Sequence, residues 1–400
     1  ENIEANIFAP QIVYDNTQYK NVNIVITSPN NDLNADISVT KMGKNGVGTD
    51  YRLEASATDD RLLSVFSIDN HAREKRLVGK LNSIIQFARN ADGHAEAQMS
   101  ISPSAISVGD STFAIHPTNV IYSKNHLNVD NFLITSGSQR ISINSVTDSG
   151  LGDSLLVELD HVNLSYILNL VNFHAVDFSG HASGQAYISH LFGQPEARGK
   201  LQVEEFRFQD GMMGTLYANV RWNRAQEQID IDAQAIDTMI VGGIVPKMRT
   251  TNINGYVSPK RNYIDLGIAA HHTRGEFIES FCSSFMDHAY LTANGNLRVW
   301  GDLKRINLTG EIVADGNVRI TPLNTQYTLR NDTIECLINE IRFGNDTILD
   351  RNGHPGIVSG SLYHNHLSQL SYDINVKANN FLAYDWGPTY GSTFYGTVFG

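Results

Sequence analysis

The chain has 400 residues, 41% of them hydrophobic and 18% charged, and a formal net charge of −12. This apolar content excludes disorder and coiled coil, and the negative balance excludes a nucleic-acid binder or a polybasic membrane-surface protein. Two cysteines, Cys282 and Cys336, are too few for a disulfide scaffold or a cysteine-rich zinc module, and no run of about 20 apolar residues is present to span a bilayer as a helix.

Taken in chain order, the dominant signal is period-two alternation, which marks strands with one apolar and one polar face. It begins with Leu33, Ala35, Ile37 and Val39, then Tyr51, Leu53, Ala55 and Ala57, then Leu81, Ile85 and Phe87. Val162, Leu164, Ile167, Leu168 and Val171 change to helical spacing. Alternation resumes at Ile229, Ile231 and Ala233 until Phe277, Ile278, Phe281, Cys282 and Phe285 predict a second helix. Thr273 and Glu276 have the spacing of a capping box before it. Leu297 and Val299, Ile312 and Ala314, Val318 and Ile320, and Ile374 and Val376 predict further strands. Asn45-Gly46, Asp92-Gly93, Asp210-Gly211, Asn254-Gly255, Asn294-Gly295, Asp315-Gly316 and Asn352-Gly353 all read as tight hairpin turns.

The two helical segments head an internal repeat. Ala182-Ser183-Gly184 maps onto Ala293-Asn294-Gly295, Gly199 onto Gly310, Leu201 onto Ile312 and Ile167 onto Ile278, at an offset of 111 residues. The expected divisions are a strand-rich segment over 1–160, a first helix-plus-strands unit over 161–271 and a second over 272–400. The chain opens on Glu1 and stops within a strand-like pattern at Gly400, which reads as a segment cut from a longer protein.

Strands with one apolar face must bury it, as a sandwich, a closed barrel or a curled trough. A sandwich of this size splits into units joined by linkers, and none is visible. A membrane barrel carries aromatic girdles, whereas the aromatics here are scattered. The expected fold is therefore all-β: a long, curled antiparallel sheet forming a trough with a hydrophobic interior, plus two short amphipathic helices.

Chemical motifs are sparse. Tyr363-His364-Asn365-His366 puts two imidazoles on one strand face but lacks a third metal ligand, and solvated histidines are its default reading. His271-His272 points to opposite faces. Asp346, Asp350, Asn352 and Gly353 have the flavour of a calcium loop without its closing Glu. No nucleophile elbow, phosphate loop or HExxH is present, so neither enzyme activity, metal nor cofactor is expected. Cys282 reads as a core residue, and a disulfide to Cys336 has no spacing in its favour.

Two blocks carry a family resemblance. The first runs through Ile101-Ser102-Pro103-Ser104-Ala105-Ile106, Phe113-Ala114-Ile115-His116-Pro117 and Val129-Asp130-Asn131-Phe132 to the stretch from Leu164 to Phe173. The second runs from Thr321-Pro322-Leu323-Asn324-Thr325 through Tyr327-Thr328-Leu329-Arg330-Asn331-Asp332, Asn345-Asp346-Thr347-Ile348 and Asp350-Arg351-Asn352-Gly353 to Thr393-Phe394-Tyr395-Gly396-Thr397. Over most of residues 75–400 the chain resembles the C-terminal region of the TamB family of AsmA-like, bridge-like lipid-transfer proteins, in its Bacteroidetes form. The resemblance implies a periplasmic bridge held in the inner membrane by an N-terminal anchor outside this segment. It also implies an outer-membrane partner, a TamA-like barrel or a lipoprotein variant of it. The implied cargo is phospholipid. A second implied role is as a scaffold or chaperone for insertion of outer-membrane or autotransporter barrel proteins.

Apolar alternation nominates the lining of a lipid groove: Leu201, Val203, Ile229, Ile231, Ala233, Leu266, Ile268, Leu297, Val299, Ile312, Ala314, Val318 and Ile320. Such a face spares an acyl chain the cost of apolar exposure, about 25 cal/mol per Å².

Overall fold

Alternation becomes strand along nearly the whole chain. A computed structural model describes residues 3–15, 17–28, 32–43, 46–71, 76–146, 153–170, 177–238, 248–303, 305–387 and 395–400, and only the backbone at 169 and 170. Val171, Asn172, Phe173, Thr393 and Phe394 of the motifs above lie outside the described residues, as does Asn45 of the first turn.

The strands are β1 (Glu4–Tyr14), β2 (Thr17–Thr27), β3 (Leu33–Met42), β4 (Gly48–Thr58), β5 (Arg61–Asp69), β6 (Leu77–Arg89), β7 (Ala95–Ile101), β8 (Ser104–Val108), β9 (Ser111–Ile115) and β10 (Thr118–Ser123). Next come β11 (His126–Asp130), β12 (Phe132–Ser136), β13 (Gln139–Val146), β14 (Ser154–Asn163), helix α1 (Leu164–Leu170), β15 (Phe178–Ser189), β16 (Glu196–Phe208), β17 (Gly211–Asn223), β18 (Gln228–Asp237), β19 (Arg249–Ser258) and β20 (Tyr263–Arg274). Helix α2 (Ile278–Cys282) precedes β21 (Met286–Asp302), β22 (Arg305–Ile320), β23 (Thr325–Leu337), β24 (Glu340–Leu349), β25 (Pro355–Asn365), β26 (Ser368–Ala378), β27 (Leu382–Trp386) and β28 (Gly396–Phe399). Strands β1 to β26 form one antiparallel sheet that does not close; β27 and β28 pair separately.

Pairing follows chain order. In the stretch from β7 to β12, three long strands are each broken in two. β7 and β8 pair with successive parts of β6, and the break between them holds Pro103. β10 and β9 lie against β7 and β8, broken at Pro117, while β11 and β12 are broken at Asn131, which takes a φ of 52°. A proline cannot donate to the ladder, so it sits where the strand is interrupted.

Three of the expected turns are not turns. Asn254-Gly255, Asn294-Gly295 and Asp315-Gly316 lie inside β19, β21 and β22. Their glycines serve close strand approach instead. A Cβ on Gly295 would lie 2.3 Å from the Glu311 carbonyl oxygen. Gly184 of β15, 111 residues earlier, would meet the Lys200 carbonyl oxygen at 2.1 Å. The two glycines thus hold matching places, each on the strand after a helix and against the next strand. Asp92-Gly93, Asp210-Gly211 and Asn352-Gly353 do fall at hairpin bends.

Among the described residues α1 spans seven residues and α2 spans five. The expected capping box is absent. Thr273 belongs to β20, where its hydroxyl bonds Thr251 at 2.8 Å, and Glu276 accepts from Arg274. The N-cap of α2 is Phe277, which makes no side-chain cap hydrogen bond.

The chain divides into two compact units, Glu1–His161 with Gln185–Ala197, and Val162–Gly184 with Arg198–Gly400. Within the second, the sheet curls. β17 and β20, which do not pair, approach each other, and one cluster gathers Phe208 of β16, Ile306 of β22 and Leu367 beyond β25. Phe277 at the N-cap of α2 and Phe281 within it meet the ring of Phe208 at 5.0 and 6.1 Å, so the helix packs on the apolar face.

Candidate functional site

Residues paired across antiparallel strands share a face, so register defines continuous rows. In the second unit one row runs Leu201, Ala218, Ala233, Ile253, Ile268 and Leu297 from β16 to β21. It continues through Gly310, Cys336, Ile341 and Leu362 to Tyr372 on β26. The adjacent row, Val203, Leu216, Ala235, Thr251, Ala270 and Gly295, continues through Ile312, Ile334, Phe343 and Gly360 to Ile374. Neither row contains a charged residue. Eleven strands at about 4.8 Å spacing give a band about 48 Å across.

The opposite face is polar. Its rows include Gln202, Gln234, Asn252, Asn296, Glu311, Glu335 and Arg342. Arg298 grips Asp265 there with two hydrogen bonds of 2.8 and 2.7 Å, and the guanidinium holds that carboxyl below the usual range. One face is therefore a charged ladder, and the other carries two adjacent charge-free rows, with Asp237 and Arg249 paired in the row beyond Ala235 and Thr251.

All thirteen nominated residues fall on the apolar face. They have two different environments. Val203, Ala233, Ala314 and Val318 are buried against protein. Leu266 and Val299 pack on the cluster of Ile264, Leu303 and Ile306, and Ile320 packs on that of Ala289, Leu291 and Val318. Leu201, Ile229, Ile231, Ile268, Leu297 and Ile312 remain partly exposed and belong to none of the three packed clusters. Alternation finds the face but not this difference, which depends on where the helices and the β27 segment lie. The row members Ala218, Ile253, Ile341 and Leu362 were missed, although each alternates with polar neighbours.

In the first unit the apolar face is less covered. Ile7, Ile24, Ile37, Leu53, Phe66 and Leu81 form a row across β1 to β6. No described residue of β1 to β5 is buried, and Ile7 and Phe66 are 53% and 38% exposed. The next row ends in Ser64 and Ser83, whose hydroxyls satisfy one another at 2.6 Å.

Polar groups do enter the apolar face of the second unit. Asp332 pairs with Ala314 in register and is buried, with Oδ2 lacking a partner. Burial, reinforced by the carboxylates of Asp346 and Asp315, pushes its pKa up to about 6. Asp350 is also buried, yet its pKa is lowered: burial opposes the charge, but the N–H groups of Leu382, His354 and Asn352 all donate to the carboxylate. The residues with a calcium-loop flavour thus form a hairpin whose aspartate clamps the backbone of β27.

The other motifs are dispersed. His364 is buried, its Nδ1 accepts from Leu367 N–H, and its pKa is lowered by burial and by His366. His366 instead reaches the Ile306 carbonyl at 3.3 Å. Among the described residues, no three histidine, cysteine or acidic side chains converge in a metal-binding arrangement. Cys282 and Cys336 are separate buried thiols, each pushed up to about 11, by burial alone at Cys282 and by burial with Glu335 at Cys336. Among the described residues, no helix is long and apolar enough to cross a membrane.

Comparison with known proteins found no matching family model, no matching curated protein and no matching solved structure.

Proposed function

We propose that the chain is a lipid-conducting segment of a TamB-type bridge, which shields phospholipid acyl chains on its apolar face. The observation that carries this reading is the uninterrupted, charge-free band across β16 to β26, partly exposed along Leu201, Ile268 and Leu297. Such a band offers acyl chains apolar surface at about 25 cal/mol per Å², and the charged groups of this face, Asp237 with Arg249 and Asp332, lie in neighbouring rows and not within it. Weak, repeated binding of that kind suits passage rather than storage. The open apolar face of β1 to β5 extends the same property into the first unit. On this reading the chain works in the periplasm of a double-membraned bacterium, within a protein anchored in the inner membrane. Its outer-membrane partner is a TamA-like barrel or a lipoprotein variant, and no covalent step is involved.

The test is photo-crosslinking in living cells. A photoreactive residue is placed at Leu201 or Ile268 on the apolar face, and at Gln202 or Asn296 on the polar face. Covalent phospholipid at the first pair and not the second is expected. Equal labelling of both faces removes the trough. Cross-links to barrel proteins in place of lipid transfer the assignment to an assembly scaffold.

A further inference from the structure

β26 is an open edge. It pairs with β25 on one side, and among the described residues no strand pairs with the other. Ten of its eleven residues are exposed, including Tyr372 at 72%, Ile374 at 42% and Val376 at 47%. Edges of this kind are normally blunted by proline, charged side chains such as lysine, a bulge or a covering element, and the two charges that β26 carries, Asp373 and Lys377, are of opposite sign. β26 has no proline, whereas β1, at the other end of the sheet, carries Pro10.

The sequence of β26 is complementary to itself. If two copies align antiparallel about Asn375, Asp373 of each faces Lys377 of the other, and Ile374 faces Val376 twice. Tyr372 then faces Ala378, and the two Asn375 amides meet on the axis. Alignment about Asp373 would instead oppose two carboxylates, and alignment about Ile374 would leave Lys377 opposite Ser371. Opposite charges and apolar pairs facing directly across strands stabilise pairing, and like charges oppose it. A two-fold axis normal to the sheet keeps Ile374 and Val376 of both copies on the apolar face. It also closes the assembly, whereas β26 against β1 of another copy would propagate as an open filament.

We propose that two copies of this chain pair through β26, in antiparallel register about Asn375, so that the apolar face continues from one copy into the next. One strand pair is smaller than a standard stable interface, so the dimer is weak and dependent on concentration.

Sedimentation velocity of the 400-residue chain from about 5 to about 500 µM tests this. The wild type is expected to shift from monomer towards dimer. Asp373→Lys and Lys377→Asp are each expected to remain monomeric, because each places like charges across the strand pair. An equimolar mixture of the two is expected to dimerise again, because the two-lysine strand of one then faces the two-aspartate strand of the other. Unchanged circular dichroism and denaturation midpoints establish that both variants fold. As an independent readout, Asn375→Cys is expected to form a disulfide-linked dimer on mild oxidation, since the native thiols are buried. A wild type that stays monomeric, single variants that still dimerise, or a mixture that does not would each overturn the proposal.

Discussion

The rings of Phe381 and Tyr327 lie parallel, with centroids 5.3 Å apart and 2° between their planes. The contact turns the chain back after β26. Phe381 and Leu382 are buried on the apolar face, and the Tyr327 hydroxyl donates to the Leu382 carbonyl at 3.3 Å while accepting from Thr325 at 2.8 Å. Phe381→Ala should lower unfolding free energy by about 3–5 kcal/mol. Tyr327→Phe keeps the ring and should lose only about 1 kcal/mol. Denaturant midpoints of the two variants measure the difference.

Asp332 should make stability fall as pH rises. Its native pKa, raised to about 6, exceeds the ordinary carboxylate value of 3.8, so the unfolded state releases the proton first. Well below pH 4 the group is neutral in both states and carries no penalty. Between about pH 4 and pH 6 the native state loses about 3 kcal/mol relative to the unfolded one. Asp332→Asn should therefore stabilise the protein at pH 7.5 and leave it nearly unchanged at pH 4. Denaturant titrations of both proteins at the two pH values would show equal gains if the carboxyl were unimportant.

Two of the mid-strand glycines, Gly184 and Gly295, should be intolerant of any side chain. Gly184→Ala and Gly295→Ala each force a Cβ into a neighbouring carbonyl oxygen and should cost about 3 kcal/mol. Gly353→Ala is the control. It has a φ of +86° but nothing within 4 Å of the added carbon, so the cost should be about 1 kcal/mol of backbone strain. Thermal unfolding of the three variants ranks them.

Cys282 and Cys336 should resist alkylation in the native state. With thiols raised to about 11, the thiolate is scarce at pH 8, and both side chains are buried. Mass spectrometry after iodoacetamide should find neither modified in buffer and both modified in denaturant. Rapid native labelling of either would contradict the packing described.

The apolar face was legible because side-chain parity is local. Ile229, Ile231 and Ala233 need only the strand to exist for their side to be fixed, and register then unites them with Leu266 and Ile268. The glycines misled for a physical reason: Asn-Gly suits a tight turn, but in Asn294-Gly295 the missing Cβ admits a neighbouring strand, and only the far-off Glu311 reveals which use applies. Long-range returns were equally illegible. Nothing near Phe381 announces that it stacks on Tyr327, and the spacing of Thr273 and Glu276 imitates a helix cap although both residues have partners elsewhere.

Once β7 with β8, β9 with β10 and β11 with β12 are counted as broken single strands, pairing runs along the chain from neighbour to neighbour. Such a sheet behaves thermodynamically as a row of coupled links, each stabilised mainly by the one before and the one after. Strands can be added at a growing margin as the chain emerges, with short loops to close at each step. Damage should then spread only a few strands from its origin, and hydrogen exchange should map unfolding in blocks along the chain, not as a single collapse of the whole.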